Sequence, residues 1–170
     1  SATRHIGERA DLWFAVNRGY KAGGFNIGID AVPEDRRLFD PEYLLNLETG
    51  LAVRSADGRF DARGSLFYMR RTEQQVNTSL QLDPSDPLTF VQLTDNAARG
   101  ENYGLELQGG WRPHPWLRVG ASLGLLEARF LEYRIAGEDL AGTEQAHAPA
   151  WQYGLQVHWQ HPRGPFARAE

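Results

Sequence analysis

The chain has 170 residues, 18 basic and 22 acidic side chains for a formal net charge of −4, and no cysteine. One domain is the default at this length, the acidic balance gives no nucleic-acid footprint, and the absence of thiols excludes a disulfide framework and thiolate metal sites. No run of about 18 apolar residues occurs, which excludes a transmembrane helix but not a transmembrane β-barrel, whose strands each carry a weak hydropathy signal.

Glycine and proline, 18 and 9 residues, are spread throughout, and no stretch sustains a 3.6-residue period, so the chain reads as all-β. The first strand is expected over 11–20, with Leu12, Phe14 and Val16 on one face. The second, over 42–54, sets Leu45, Leu47, Leu51 and Val53 against Asn46, Glu48, Gly50 and Arg54. The third, over 59–76, sets Phe60, Leu66 and Tyr68 against Asp61, Arg63 and Ser65. The fourth, over 91–111, sets Tyr103, Leu105, Leu107 and Trp111 against Gly104, Glu106, Gln108 and Gly110. The fifth, over 116–133, carries Leu117, Val119, Ala121, Leu123 and Leu125 on one side and Arg118, Gly120, Ser122 and Gly124 on the other. The sixth, over 151–160, is the clearest: Trp151, Tyr153, Leu155, Val157 and Trp159 alternate with Gln152, Gly154, Gln156, His158 and Gln160. Phe166 to Glu170 reads as the start of a seventh strand.

The connections alternate in length. Ala56-Asp57-Gly58, Arg112-Pro113-His114-Pro115 and His161-Pro162-Arg163-Gly164-Pro165 are tight turns, while 21–40, 77–89 and 134–148 are long and polar. Short turns on one side and long loops on the other are expected of an outer-membrane barrel. Phe60, Trp111, Trp116, Trp159 and Phe166 flank the short turns, and Tyr43, Tyr68, Tyr103, Tyr133 and Trp151 fall toward the long loops, as two aromatic girdles. A soluble all-β ligand-binding module, such as a lectin-like sandwich with its aromatics in a core, is the competing architecture on pattern alone. No signal peptide is recognisable at the N-terminus, and the chain is expected to be an excerpt of something longer.

The motifs narrow this choice. Asn17-Arg18-Gly19-Tyr20-Lys21-Ala22-Gly23-Gly24-Phe25-Asn26 resembles the S-R-G-Y-K-x-G-G-F-N segment of TonB-dependent outer-membrane receptors. Phe39-Asp40-Pro41-Glu42-Tyr43-Leu44-Leu45-Asn46-Leu47-Glu48-Thr49-Gly50-Leu51 is similar to the same family's F-x-P-E-x-x-x-N-Y-E-x-G block. Gly58-Arg59-Phe60, Leu66-Phe67-Tyr68, Gln74-Gln75-Val76, the run from Asn96 to Glu106, Gly142, and Ala148-Pro149-Ala150-Trp151 continue the likeness in order. Asn17 stands where Ser is commoner, Leu47 replaces the usual Tyr and Arg54 the usual Lys.

The resemblance implies that 1–170 is part of the receptor's β-barrel domain: a 22-stranded transmembrane β-barrel, of which this antiparallel meander supplies about six to seven strands. It implies location in the bacterial outer membrane and uptake of a scarce ligand, foremost a ferric siderophore, with contacts to outer-membrane lipid. It also implies energy from the TonB complex through an N-terminal box, which this chain lacks together with the plug domain. With two open sheet edges, the excerpt is expected to self-associate.

Several residues are candidates for ligand contact. The block from Tyr20 to Asn26 reads first as a strand end where Gly23 and Gly24 adopt conformations forbidden to a side chain, and second as a ligand-contacting rim through Tyr20, Phe25 and Asn26. Arg36 and Arg37, in an acidic loop, could grip an anionic iron chelate, and His147 lies in a long loop. Glu48, Arg63 and Glu106 are expected to face the lumen. His158 and His161 are three apart, which does not set both on one strand face, so they form no chelating pair. No catalytic triad spacing, nucleophile elbow or phosphate-binding loop is present, so neither an enzyme nor a resident cofactor is expected.

Overall fold

The structure is a computed structural model, and it describes residues 1–27, 32–83, 85–86, 88–135, 138–146 and 148–169. One antiparallel sheet dominates it. In chain order the strands are β1 (Ala2–Ile6), β2 (Ala10–Lys21), β3 (Gly24–Phe25), β4 (Leu38–Phe39), β5 (Glu42–Arg54), β6 (Phe60–Gln81), β7 (Phe90–His114), β8 (Leu117–Ile135), β9 (Glu138–Asp139), β10 (Trp151–Gln160) and β11 (Phe166–Ala169). The main sheet runs β1-β2-β5-β6-β7-β8-β10-β11, with β9 folded back on β8, and β3 and β4 form a small separate hairpin. Every neighbour along the path is the next long strand in sequence, so the sheet is a meander, and it stays open between β1 and β11.

Register carries the sequence pattern into space, because paired residues share a face of the pleat. Leu12, Leu51, Gly64, Leu107, Leu123 and Tyr153 form one row across six strands. The interleaved row is Trp13, Gly50, Ser65, Glu106, Gly124 and Gln152. One face is therefore apolar and the other largely polar, as the alternation predicts.

The apolar face is uncovered. Tyr153 is 88% exposed, Trp151 68% and Leu155 61%, and among the described residues only Val32, Leu93, Ala98 and Ala128 are buried hydrophobics. Among the described residues no large side chain is fully buried. A single layer of this kind has no core in water; each uncovered Leu or Phe forgoes about 1.5–3 kcal/mol of burial. No described helix is long and apolar enough to cross a membrane, a fact that says nothing of strands.

The connections keep the expected alternation, and Gly7-Glu8-Arg9 adds another short turn between β1 and β2, with Gly7 at φ +67°. Sequence reasoning missed β1, whose polar Thr3, Arg4 and His5 hide its alternation. Of the long polar connections, only that over 77–89 is shorter than expected. Asn77 to Gln81 continues β6 and pairs back to Phe90–Thr94, so a two-stranded stem extends past the other strands. The stretch after β8 folds back along that strand: the Phe130 amide donates to the Thr143 carbonyl at 2.9 Å, and the Gln145 amide to that of Ala128 at 2.9 Å.

Two aromatics depart from the expected girdles. A register shift between Arg99 and Gly100 pairs Ala98 with Tyr133, so Tyr133 turns to the polar face, where its ring lies 4.5 Å from that of Phe130. Phe166 pairs with Gln160 and so shares the polar parity of β10. The remaining pairs hold: Phe60 with Trp111 at the short-turn side, Tyr20 with Tyr43 and Tyr68 with Tyr103 at the other.

Candidate functional site on the polar face and long-loop end

The polar face of β2, β5 and β6 is organised around Trp13. Its parity sets it opposite Gly50, and a methyl group on Gly50 would lie 2.1 Å from the indole ring, so the ring occupies the space a side chain would need. The Trp13 indole N–H donates to Glu48 Oε1 at 3.2 Å, and the Arg63 guanidinium sits 4.1 Å from the centre of the same ring. A cation over an aromatic face and a carboxylate at its N–H edge both match the charge distribution of indole. Glu48 and Arg63 thus meet on the polar face through a residue that sequence reasoning passed over. Its signal was available: a tryptophan between Leu12 and Phe14 breaks the alternation, and a glycine stands opposite it in register.

Glu106 lies on the same face, between Ser65 on β6 and Gly124 on β8. Toward the short turns this face forms a shallow concavity lined by Asp61, Gln108, Gly110, Arg118, Gln156 and His158. Among the buried side-chain atoms, the amide oxygens of Asn46 and Gln74 have no hydrogen-bond partner.

At the long-loop end, three amides pin the 22–41 connection to the β6–β7 stem. Asn26 donates through Nδ2 to the Arg36 carbonyl at 2.7 Å and to the Thr94 carbonyl at 2.9 Å, and its Oδ1 accepts from the Thr94 amide at 2.8 Å. Asn96 accepts from the Asp40 amide at 2.6 Å and donates to the Asp40 and Glu73 carbonyls at 2.9 and 2.8 Å. Gln75 donates to the Ala22 and Asp40 carbonyls at 2.9 and 3.0 Å. Arg36 pairs with Asp95 on β7. Glu73 is the one described non-glycine residue at positive φ, +53°, and it sits at the irregularity in β6 that offers its carbonyl to Asn96. Asn96 and Gln75 belong to segments singled out by the resemblance, but their role as clamps needed the fold.

Gly23 and Gly24 are required for a different reason than expected. Neither is at positive φ. A methyl group on Gly23 would come within 2.5 Å of the Phe39 carbonyl oxygen, and one on Gly24 within 2.7 Å of the Phe39 ring. Close approach of the β3–β4 hairpin explains both glycines.

The other candidates scatter. Phe25 is 66% exposed on the hairpin, and Arg37 is exposed with Nε donating to the Val32 carbonyl at 3.4 Å. Tyr20 pairs with Tyr43 and lies on the apolar face, away from Glu48 and Arg63. His147 lies outside the described residues. At the tip of the β6–β7 hairpin, hydrogen bonds from the Ser85 hydroxyl and amide hold the Asp83 carboxyl below its ordinary value.

An open single-layer meander with one apolar face and alternating short turns and long loops is a section of β-barrel wall. A family model described as TonB dependent receptor-like, beta-barrel, matches residues 6–169. The chain belongs to the TonB-dependent receptor family, within its β-barrel domain. The chain is similar in structure to the ferric yersiniabactin uptake receptor FyuA of Yersinia pestis, with TM-score 0.70 and 19% identity over 92% of this chain and 22% of that one. It is also similar to the FrpB iron transporter of Neisseria meningitidis, with TM-score 0.66 and 16% identity over 95% and 24%. A third similar structure is the siderophore receptor PiuA of Acinetobacter baumannii, with TM-score 0.62 and 14% identity over 92% and 22%. The chain therefore spans about a quarter or less of the length of these solved receptors. No curated protein is significantly similar to it in sequence.

Proposed function

We propose that the chain forms part of the wall of an outer-membrane active transporter that imports a scarce ligand of the ferric siderophore class, energised by TonB. The observation that carries this reading is the uncovered apolar face on a sheet of receptor-barrel topology. Hydrocarbon covers that face, and barrel closure by further strands satisfies the backbone of both open edges. The polar face then lines the lumen, with Glu48, Arg63 and Glu106 pointing inward.

Ligand contact is assigned to the long-loop end. Phe25 supplies an exposed ring and Arg37 a cation that suits an anionic iron chelate. Asn26 and Arg36 hold the rim in shape, since their polar groups engage Thr94 and Asp95. Tyr20 joins the outer aromatic belt. Binding rather than bond-making is the chemistry. A soluble lectin-like module needs a second layer over the apolar residues, and no described element supplies one.

The test is uptake of iron-59 by cells carrying the full-length receptor, from a panel of ferric siderophores, with and without TonB. TonB-dependent uptake from one siderophore supports the reading. No uptake from any, with the receptor present in the outer membrane, overturns the assignment of ligand class.

A further inference from the structure

The polar face gathers basic side chains near its short-turn end. Register sets Arg118 on β8 beside His158 on β10, and His158 beside Arg168 on β11. Neighbouring strands lie about 4.8 Å apart, so the two arginine positions are ~10 Å apart with the imidazole between them. Among the described residues, none makes a hydrogen bond or ion pair with the side chain of Arg118 or of His158.

All three side chains border the concavity of the polar face, a hollow of about 640 Å³. That volume lies within the range of about 300–1,000 Å³ common to small-molecule sites. Gly120, two residues beyond Arg118 on the same face, leaves the hollow deep. A methyl group on it would come no nearer than 3.8 Å to another atom, and it is not at positive φ. Neither a crowded neighbour nor a turn therefore accounts for this glycine. Gln156 stands beside Gly120 in register, and Gln108 lies one row further, beside Ser122.

The balance of charge in the hollow is positive. Among the described residues Asp61 is the one carboxylate that lines it, against the guanidinium groups of Arg118 and Arg168. Asp61 lies on the far side, its carboxylate over Gly110. Arg63 adds a cation in the row of Gln108. Glu106, the next acidic group on this face, shares the row of Gly124, six residues beyond Arg118 along β8, or about 20 Å.

We propose that this hollow is a subsite for an anionic, carboxylate-bearing chelate at the inner end of the lumen, where the short turns lie. The inference rests on the reading that the polar face lines the path of an imported ligand. The guanidinium groups offer paired donors that match carboxylate oxygens. The His158 ring and the amides of Gln108 and Gln156 donate to the remaining oxygens. Gly120 lets the anion approach the strand backbone closely. Asp61 repels carboxylate and so turns the charged end of the ligand toward Arg118.

The experiment titrates citrate, and its uncharged trimethyl ester, into the full-length receptor in detergent micelles, followed by calorimetry. The wild type is expected to bind citrate and not the ester. Arg118→Gln is expected to weaken citrate binding about tenfold, the value for one charge-assisted contact. Gly120→Leu fills the hollow without changing its charge and is expected to abolish binding. Arg118→Lys keeps the charge and is expected to bind more tightly than Arg118→Gln, which separates loss of charge from a general folding defect. Arg134→Gln, at the opposite end of β8, leaves binding unchanged. Equal citrate affinity in the wild type, Arg118→Gln and Gly120→Leu, all folded, overturns the proposal. Absence of citrate binding in the wild type also overturns it. If the plug then becomes more sensitive to protease in Arg118→Gln, the cations seat a carboxylate of the receptor itself. Iron-59 uptake is scored apart from binding. Citrate binding that depends on Arg118, in a receptor that takes up no ferric siderophore, supports the anion site and overturns the imported ligand class.

Discussion

The ring of Trp13 fills the space above Gly50 and carries Arg63 on its face, 4.1 Å from the ring centre, with Glu48 at its N–H edge. Three strands are thereby cross-linked on a face that has no other large aromatic in that row. In a double-mutant cycle on the full-length barrel, Trp13→Ala and Arg63→Ala are expected to couple by about 0.5–1 kcal/mol, the value for a partly exposed cation–aromatic pair. Additive unfolding energies in lipid would show that the two side chains do not interact.

Gly104 gives a sharper packing test. A methyl group there would lie 2.1 Å from the Leu125 carbonyl oxygen and 2.7 Å from the Phe67 ring. The backbone atom cannot move aside without breaking the β7–β8 ladder. Gly104→Ala is expected to destabilise the barrel by about 1–3 kcal/mol. Gly120→Ala, whose nearest neighbour would be 3.8 Å away, is expected to cost little. Urea unfolding midpoints compare the two, and similar losses would contradict the local geometry.

Facing predicts an asymmetry between adjacent residues on β10. Leu155 pairs with Ala121 on the apolar face and Gln156 with Gly120 on the polar one. Leu155→Arg is expected to cost roughly 2–4 kcal/mol in the lipid-embedded barrel, and Gln156→Arg much less. Refolding titrations into vesicles measure both, and equal costs would assign the wrong face to lipid.

The β5–β6 turn is sensitive to acid. The Ser55 hydroxyl donates to Asp57 Oδ1 at 2.6 Å and the Arg59 amide to the same oxygen at 3.1 Å, so the carboxyl is held below its ordinary value. A depressed folded value means that the turn gains stability above the ordinary aspartate range and loses it as pH falls through the folded value. Protection of the Arg59 amide from hydrogen exchange is expected to fade in that acidic window. Ser55→Ala moves the window upward, toward the ordinary value, and a window unmoved by Ser55→Ala contradicts the assignment.

Asn96 is the clamp whose loss frees the outer connection. Asn96→Ala removes three hydrogen bonds to Asp40 and Glu73. The expected result is faster proteolysis within residues 32–41 at little cost to global stability, because the strands below keep their pairing. Unchanged cleavage would mean that Gln75 and Asn26 suffice to hold the loop.

The sequence by itself determined the six long strands, most of their faces and the alternation of short and long connections. Those features are local: period-2 patterning in the stretch from Leu117 to Leu125 and from Trp151 to Gln160, and turn residues such as Asp57-Gly58, need no distant partner to be read. The tertiary structure decided everything that depends on register across strands. The irregularity beside Gly100 turns Tyr133 off the girdle, and the gap at Gly50 admits Trp13. The amides of Asn26 and Asn96 bond across 68 and 56 residues of chain. Side-chain chemistry sets which groups are able to pair, but strand register and loop return set which of them meet, and neither is encoded in any single local stretch.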